Sequence, residues 1–561
     1  MYTKKVFDQV VWRYVVLILV ILIGLGALVS CSLPYSSGGA ASSPFPAMPG
    51  GSAQSQGASK EYAATESYEG AIAMDSWNGG EGYYYDEPFN TEEYNSIKEA
   101  GFISASTRPL STLSADVDTA SYCNLRRMIM DGYTLDMIPE GAVRIEEMLN
   151  YFDYDYALPE GSDLFGTTVQ VGDCPWNKNT KLLVMGFATA PEERDTSKGS
   201  NLVFLIDVSG SMNSHDKLDL LQEAFGVLVD QLGPEDRVSI VTYASGESVV
   251  LEGAHGDEGR KIMRAINRLH ADGSTNGEAG LKMAYEIAQD NFIEGGVNRI
   301  ILASDGDLNV GMTDESSLEN YVSKQRETGV YLSVLGFGSG NYKDNKMETL
   351  ADNGNGQYHY IDCLEEAERV LSEKLTANLV PLADDVKLQV EFNPATVKGY
   401  RLIGYENRAL ADEDFRDDTK DAGEIGPGHQ FTVAYEIALA DSEQEIGDTE
   451  LKYSEPVKVS EDKSGEWLTC TMRYQPVNAG QAQEQSFVVD ETAWTATPER
   501  DWQFAAAVIE AGMVLRDSEY AKGLELEDVL EKLDAKDSDH LRAEFYDLLE
   551  DLDYGRVVDY E

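Results

Sequence analysis

Basic side chains are scarce in this chain. Lysine and arginine number 44 against 99 aspartates and glutamates, leaving a formal net charge of −55 over 561 residues. Phosphate recognition needs clustered basic residues, so nucleic acid is excluded as a partner. The acidity reads as a solvated, self-repelling surface. Cysteine is scarce too, with five in all. Cys123, Cys174, Cys363 and Cys470 stand far apart, without the paired spacing of a zinc site and without the density of a disulfide framework. Buried free thiols are expected of them. The six histidines, at 215, 255, 270, 359, 429 and 540, show no pairing for zinc or for a Ser-His-Asp relay. His359, within a strand pattern, reads as a packed residue. Long apolar runs are missing with one exception, Tyr14 to Val29.

That run follows Lys4, Lys5 and Arg13, the pattern of a secretory signal peptide, and it is somewhat short for a membrane span of about 20 residues. It ends at Leu28-Val29-Ser30-Cys31, which resembles a bacterial lipobox and implies that Cys31 is the lipidated first residue of the mature protein. The alternative is an uncleaved anchor. Both put the bulk of the chain outside the cytoplasm, on a membrane. Residues 31–100 begin with Ser/Gly/Pro stretches and continue through the acidic, tyrosine-rich Tyr83-Tyr84-Tyr85-Asp86-Glu87. Such composition cannot bury enough apolar surface to fold, and reads as a flexible tether.

Order is expected from about residue 110. Helix-like patterns at Ser121–Asp131 and Ala142–Phe152, with Pro139 in the first turn of the second, precede strands at Phe165–Val171 and Lys181–Phe187. Between 199 and 378 strand and helix alternate. The strands are Leu202–Ile206, Val238–Tyr243, Arg299–Ala303, Val330–Phe337 and Tyr358–Ile361. Among the helices, Lys217–Leu232 carries Leu218, Leu221, Phe225, Leu228 and Leu232 on one face. Alternation predicts a mostly parallel sheet with helices on both faces and a ligand site beyond the carboxyl ends of its strands. From 379 to 561 the pattern returns to strands, near 386–392, 399–405, 430–438, 449–457 and 466–475, then to helices over 501–517 and 525–552. Two strands alone before residue 199 could hardly be stable. They are expected to join the five later ones in a seven-stranded β-sandwich interrupted by the α/β domain. The chain thus divides at 1–30, 31–100, 101–198, 199–378 and 379–561.

Asp207-Val208-Ser209-Gly210-Ser211 carries the chemistry. It follows the strand Leu202–Ile206 and brings three oxygen-bearing side chains to one edge of the sheet. Thr275, in Gly273-Ser274-Thr275-Asn276, and Asp305, in Ser304-Asp305-Gly306, add two more. Hydroxyls and carboxylates suit a hard divalent cation such as Mg²⁺, with Mn²⁺ or Ca²⁺ also possible. Asp-x-Ser-x-Ser alone is a weak pattern, and a capped helix start with coincidental serines could produce it. With the strand before it, the amphipathic helix after it and two further turns, it becomes specific.

The constellation resembles the metal-ion-dependent adhesion site of von Willebrand factor A domains. Gly336-Phe337-Gly338-Ser339-Gly340-Asn341-Tyr342 and Asn355 to Asp362 look like a bacterial domain of this class. Asp116-Val117-Asp118-Thr119-Ala120-Ser121-Tyr122, Val143 to Met148, Cys174-Pro175-Trp176-Asn177 and Tyr400 to Arg408 resemble flanking segments of a family of bacterial lipoproteins. The resemblance makes Ser209 and Ser211 direct metal ligands and Thr275 a ligand of the high-affinity state, with Asp207 and Asp305 acting mainly through waters. Neutral hydroxyls leave a cation's charge poorly compensated, so the expected ligand is an Asp or Glu carboxylate on another protein. Ser304 replaces the threonine common at that place and is read as lying beside the site.

Other motifs are weaker. Asp116-Val117-Asp118-Thr119 is similar to the phosphatase pattern Asp-x-Asp-x-Thr, but its fifth position is Ala120 and no apolar strand precedes it. Gly336-x-Gly338-x-Gly340 lacks dinucleotide spacing and reads as a loop. The carboxylates between Asp412 and Asp421 miss the EF-hand spacing and read as a solvated acidic loop. The expectation is a non-enzymatic, surface-tethered protein that binds a partner through its metal. The rivals are an assembly module of an envelope complex without metal-gated capture, and a hydrolase with an unrecognised site in the β-rich region.

Overall fold

Tyrosine, phenylalanine and β-branched residues supply the strands, and their burial shows which strands have two covered faces and which have one. In the computed structural model the described residues are 90–195, 197–306, 315–420, 422–447, 463, 465–477 and 479–555. The signal segment, Cys31 and the strand expected at 449–457 lie outside them. Among the described residues, four strands come before the α/β domain: β1 (Ile103–Ser104), β2 (Leu110–Ser114), β3 (Phe165–Asp173) and β4 (Lys181–Thr189). Six build the domain: β5 (Ser200–Asp207), β6 (Arg237–Tyr243), β7 (Glu247–His255), β8 (Val297–Ser304), β9 (Tyr331–Phe337) and β10 (Tyr358–Ile361). Among the described residues six more follow: β11 (Ala383–Phe392), β12 (Val397–Ile403), β13 (Gly423–Ile425), β14 (Gln430–Leu439), β15 (Glu466–Pro476) and β16 (Gln483–Asp490).

The six-stranded sheet runs β10-β9-β8-β5-β6-β7. Its strands are parallel except β7, which pairs antiparallel with β6. All eight residues of β5 are buried, as befits a central parallel strand covered on both faces. Leu202, Phe204 and Ile206 point to one core with Leu221, Phe225 and Leu228 of the helix Leu220–Asp230. Val203 and Leu205 point to the other, with Leu281, Ala284 and Tyr285 of the helix Gly277–Asp290. The second core continues without a break into the helices Ala120–Met130, Ile145–Tyr151, Arg500–Leu515 and His540–Tyr554. Sequence-distant helices therefore back the α/β domain directly.

The flanking segments form two facing antiparallel sheets. One has the order β1-β12-β14-β4-β3; the other runs β13-β11-β15-β16, with β2 also paired to β11. β4, from before the α/β domain, pairs along its length with β14, from after it, Gln430 opposite Ala188 and Ile437 opposite Lys181. Side chains from both sheets share one core, in which Phe392 stacks on Tyr400 at 3.9 Å between ring centres. The α/β domain is thus an insertion in a split sandwich.

Several expectations need correction. Residues 90–100 belong to the folded part, not the tether: Thr91 and Glu93 donate backbone N–H groups to Gly340 and Tyr342 at 2.7 and 2.9 Å, and Glu99 accepts from Arg516 at 2.7 Å. The sandwich has β1, β2, β13 and β16 beyond the strands foreseen. β7 was likewise unforeseen, because an edge strand with most side chains in solvent has little apolar alternation. The span 525–552 is broken into Leu526–Leu530 and His540–Tyr554, the second capped by Asp539. Pro139 leads only the single turn Glu140–Ala142, and the helix itself starts at Ile145. Cys123, Cys174 and Cys470 are buried free thiols, and Cys363 is half-buried. Among the described residues no helix is long and apolar enough to cross a membrane.

Candidate metal centre

In chain order β5 is the first strand of the α/β domain, yet it lies between β6 and β8, so the strand order reverses beside it. Crevices at such a reversal, beyond the carboxyl ends of the strands, are where open α/β sheets hold ligands. Asp207 is the last residue of β5, and Asp305 follows the last residue of β8. Both side chains are fully buried.

Backbone hydrogen bonds tie the three stretches together. Val208 N–H donates to Tyr243 O at the end of β6 at 3.0 Å, fixing the loop as it leaves β5. Gly210 N–H donates to Gly273 O at 3.0 Å, and Asp272 N–H donates to Val208 O at 2.8 Å, which lashes the Thr275 turn against the serine loop. Gly273 has φ +85°, a left-handed conformation that glycine adopts without strain. Ser209 N–H donates to Asp207 Oδ1 at 2.8 Å, and the Ser209 and Ser211 hydroxyls lie 2.9 Å apart. Ser209 is buried with the two aspartates, Ser211 is exposed and Thr275 half-buried, so of these residues only Ser211 and Thr275 reach solvent.

Ser304 belongs to the centre rather than beside it. Its hydroxyl donates to Asp207 Oδ2 at 3.0 Å and accepts from Gly306 N–H at 3.1 Å. Two further residues escaped the sequence reading. Lys217, buried on one turn of π-helix (His215–Asp219), places its ammonium 3.1 Å from Asp305 Oδ2. Asn341, from the glycine loop after β9, accepts from that ammonium at 2.6 Å and donates to Asp305 Oδ2 at 3.0 Å. π-turns of this kind recur at functional sites. The available signal was a lysine ten residues after the first aspartate. It looked like the ordinary start of an amphipathic helix.

Electrostatics favour a cation here. Burial, and then the charge of Asp305, push the Asp207 carboxyl up to about 6, while hydroxyl and amide donors from Ser209 and Ser304 pull it down. The donor set contains oxygen only, two carboxylates and three hydroxyls, which fits a hard divalent ion. Asp207, Ser209, Ser211, Thr275 and Asp305 are the residues that could hold it.

The weaker motifs resolve into structural ion networks. Asp116, Asp118 and Asp352 gather around Arg408 at 3.4, 3.0 and 2.6 Å, and Thr119 Oγ1 lies 3.3 Å from His359 Nδ1. The Cys174-Pro-Trp-Asn and Tyr400-Arg segments meet at one buried carboxylate: Glu436 accepts from Trp176, Asn177 and Thr180 and pairs with Arg401 at 2.8 Å. In the acidic loop, Asp418 pairs with Arg473 at 2.6 Å.

This sheet order and this arrangement of loops define a von Willebrand factor type A domain, and the family model of that description matches residues 202–307. A model described as von Willebrand factor matches residues 88–184, and one described as "Uncharacterized protein YfbK, C-terminal" matches 377–554. The "Uncharacterized protein YfbK" of Escherichia coli (strain K12) is 39% identical over 471 residues, 82% of this chain and 81% of that one. The chain belongs to the YfbK family. Similarity confined to smaller regions links it to "Uncharacterized protein sll0103" of Synechocystis sp. (strain ATCC 27184 / PCC 6803 / Kazusa), 29% identical over 33% of this chain and 43% of that one. It also links it to the human inter-alpha-trypsin inhibitor heavy chain H4, 30% identical over 26% of this chain and 16% of that one. Among solved structures, a von Willebrand factor type A protein from Catenulispora acidiphila covers 73% of this chain and 99% of its own at 15% identity and a TM-score of 0.40. Proximal thread matrix protein 1 from the mussel byssus, with a zinc-occupied MIDAS motif, covers 31% of this chain and 44% of its own at 21% identity and a TM-score of 0.26. With scores this low, the fold assignment rests on the family models and the sheet order.

Proposed function

We propose that this is a lipid-anchored, extracytoplasmic binding protein, not an enzyme, which captures a protein partner through a divalent cation at Asp207, Ser209, Ser211, Thr275 and Asp305. The observation that supports this reading is the hydrogen bonding of three separate loops to one another around the buried Asp207, with Asp305 buried at the end of the neighbouring strand. Mg²⁺ suits the donor set best, and when bound it supplies an electrophile that an Asp or Glu of the partner would complete. The protein's own residues do the rest. Asp207 orients the serine loop through Ser209 N–H, Ser304 holds Asp207, and the Gly273 carbonyl sets the height of Gly210. Long-range repulsion between this acidic chain and an acidic partner is screened over about 8 Å at physiological salt, so a local cation can dominate. Cys31 would carry the lipid and residues 32 to about 89 the reach.

The test is co-purification from membranes, with and without EDTA, for wild type and Asp207→Ala. Partners lost under both treatments support capture. Partners that survive both favour the assembly role instead. In the same fractionation Cys31→Ser is expected to change how the protein is retained on the membrane, and unchanged retention removes the lipid anchor from the proposal.

A further inference from the structure

The Lys217 ammonium is a charge that metal capture alone does not require. Asp207 and Asp305 contribute two negative charges, Ser209, Ser211 and Thr275 none, and Lys217 one positive. The donor set together with Lys217 therefore carries −1 before a divalent ion is added and +1 afterwards. Without the lysine the loaded centre would be neutral, and an arriving carboxylate would gain far less from the site's field. Buried charges at these separations interact much more strongly than exposed ones.

The structure holds this charge in place. Lys217 is 6% exposed, and its ammonium is shared between Asp305 Oδ2 and Asn341 Oδ1. Its stem runs against Gly338, at φ +75°, where a Cβ would collide with Lys217 Cγ, Cδ and Cε. The loop that carries Asn341 is in turn fixed to the lysine's own turn, because Asp216 Oδ2 accepts from Ser339 N–H at 3.1 Å and from its hydroxyl at 3.2 Å. Swinging Lys217 out to solvent would require this clasp to open.

We infer that Lys217 is a specificity-determining residue: it weakens the centre's hold on its cation and, in return, makes the loaded centre net positive and selective for an anionic partner. The inference rests on the metal reading proposed above. It predicts that two affinities move in opposite directions when the charge is removed. A lysine needed only for packing would lower both or neither.

The experiment uses the purified full chain as wild type, Lys217→Met, Asn341→Asp and Asp207→Ala, with folding checked by circular dichroism. Mn²⁺ binding is measured by the electron paramagnetic resonance of the free ion. Acetate binding to the Mn²⁺-loaded protein is followed by water-proton relaxation. Lys217→Met is expected to bind Mn²⁺ about tenfold more tightly and acetate about tenfold more weakly. Asn341→Asp places a compensating negative charge beside the ammonium without removing it, and should likewise tighten Mn²⁺ binding and weaken acetate binding. Unchanged or weaker Mn²⁺ binding in both variants overturns the inference, as does tighter Mn²⁺ binding with unaltered acetate affinity. Mn²⁺ binding by wild type that Asp207→Ala abolishes keeps the metal reading intact in either case. If neither wild type nor Lys217→Met binds Mn²⁺, the metal reading itself falls.

Discussion

His429 shows how a single buried side chain writes a pH dependence into this protein. Its Nδ1 accepts from Gly426 N–H at 3.0 Å, which leaves Nε2 as the protonated nitrogen, 3.2 Å from Asn378 Oδ1. Burial, followed by the nearby charge of Lys374, pushes its pKa down to about 3. An unfolded chain takes up that proton near pH 6.5, whereas the folded chain refuses it until about pH 3. His429 therefore costs nothing above pH 6.5 and removes stability as pH falls from there toward 3, by about 2 kcal/mol at pH 5. His429→Gln keeps an acceptor and a donor but cannot titrate. Urea unfolding of both proteins at pH 7.5 and pH 5 should give the variant the smaller acid-induced loss. Equal losses would show that His429 is protonated in the folded state. The metal centre obeys the same logic of buried charge, since the Asp207–Asp305 pair is tolerable only because Lys217 and neutral donors surround it.

The helix Leu220–Asp230 links the centre to the core. Its first residues continue the π-turn that carries Lys217, and its apolar stripe of Leu221, Phe225 and Leu228 is fully buried against β5. Phe225 stacks on Phe204 with ring centres 4.3 Å apart and planes 10° from parallel. Phe225→Ala leaves a cavity at this contact and is expected to cost about 3–5 kcal/mol. A shift of the urea midpoint measures it, and a loss below about 1 kcal/mol would mean that the helix is not what holds the sheet's face. Three-and-four spacing made this helix plain from sequence. The same rule joined 525–552 into one helix, because periodicity does not register a break whose residues still fall in phase. β7 was missed for the opposite reason, as an edge strand with most side chains of both faces in solvent has no apolar rhythm to read.

Across the full chain, the interrupted sandwich makes the two flanking regions depend on each other. β14 is lined along its length by β4, and β11 by β2, so residues 379–561 alone would present two long unpaired edges. An isolated 379–561 fragment is expected to show no cooperative thermal transition, and a sharp one would refute the mutual dependence. The Glu436 network has the same character, because its donors Trp176, Asn177 and Thr180 come from before the α/β domain and Arg401 from after it. A buried carboxylate stripped of those donors is strongly destabilising.

The amino-acid order alone was enough to specify the alternating α/β domain and its five candidate metal donors, because three-and-four and two-residue periodicities and short motifs are local properties. It also implied that the early strands needed later partners, from the bare fact that two strands cannot stand alone. Only the folded chain decided that residues 90–100 dock on the domain, that Ser304 grips Asp207, and that Lys217 and Asn341 close over Asp305. Those contacts join residues up to several hundred positions apart. Their energy comes from burial and charge pairing in three dimensions, which no local pattern records.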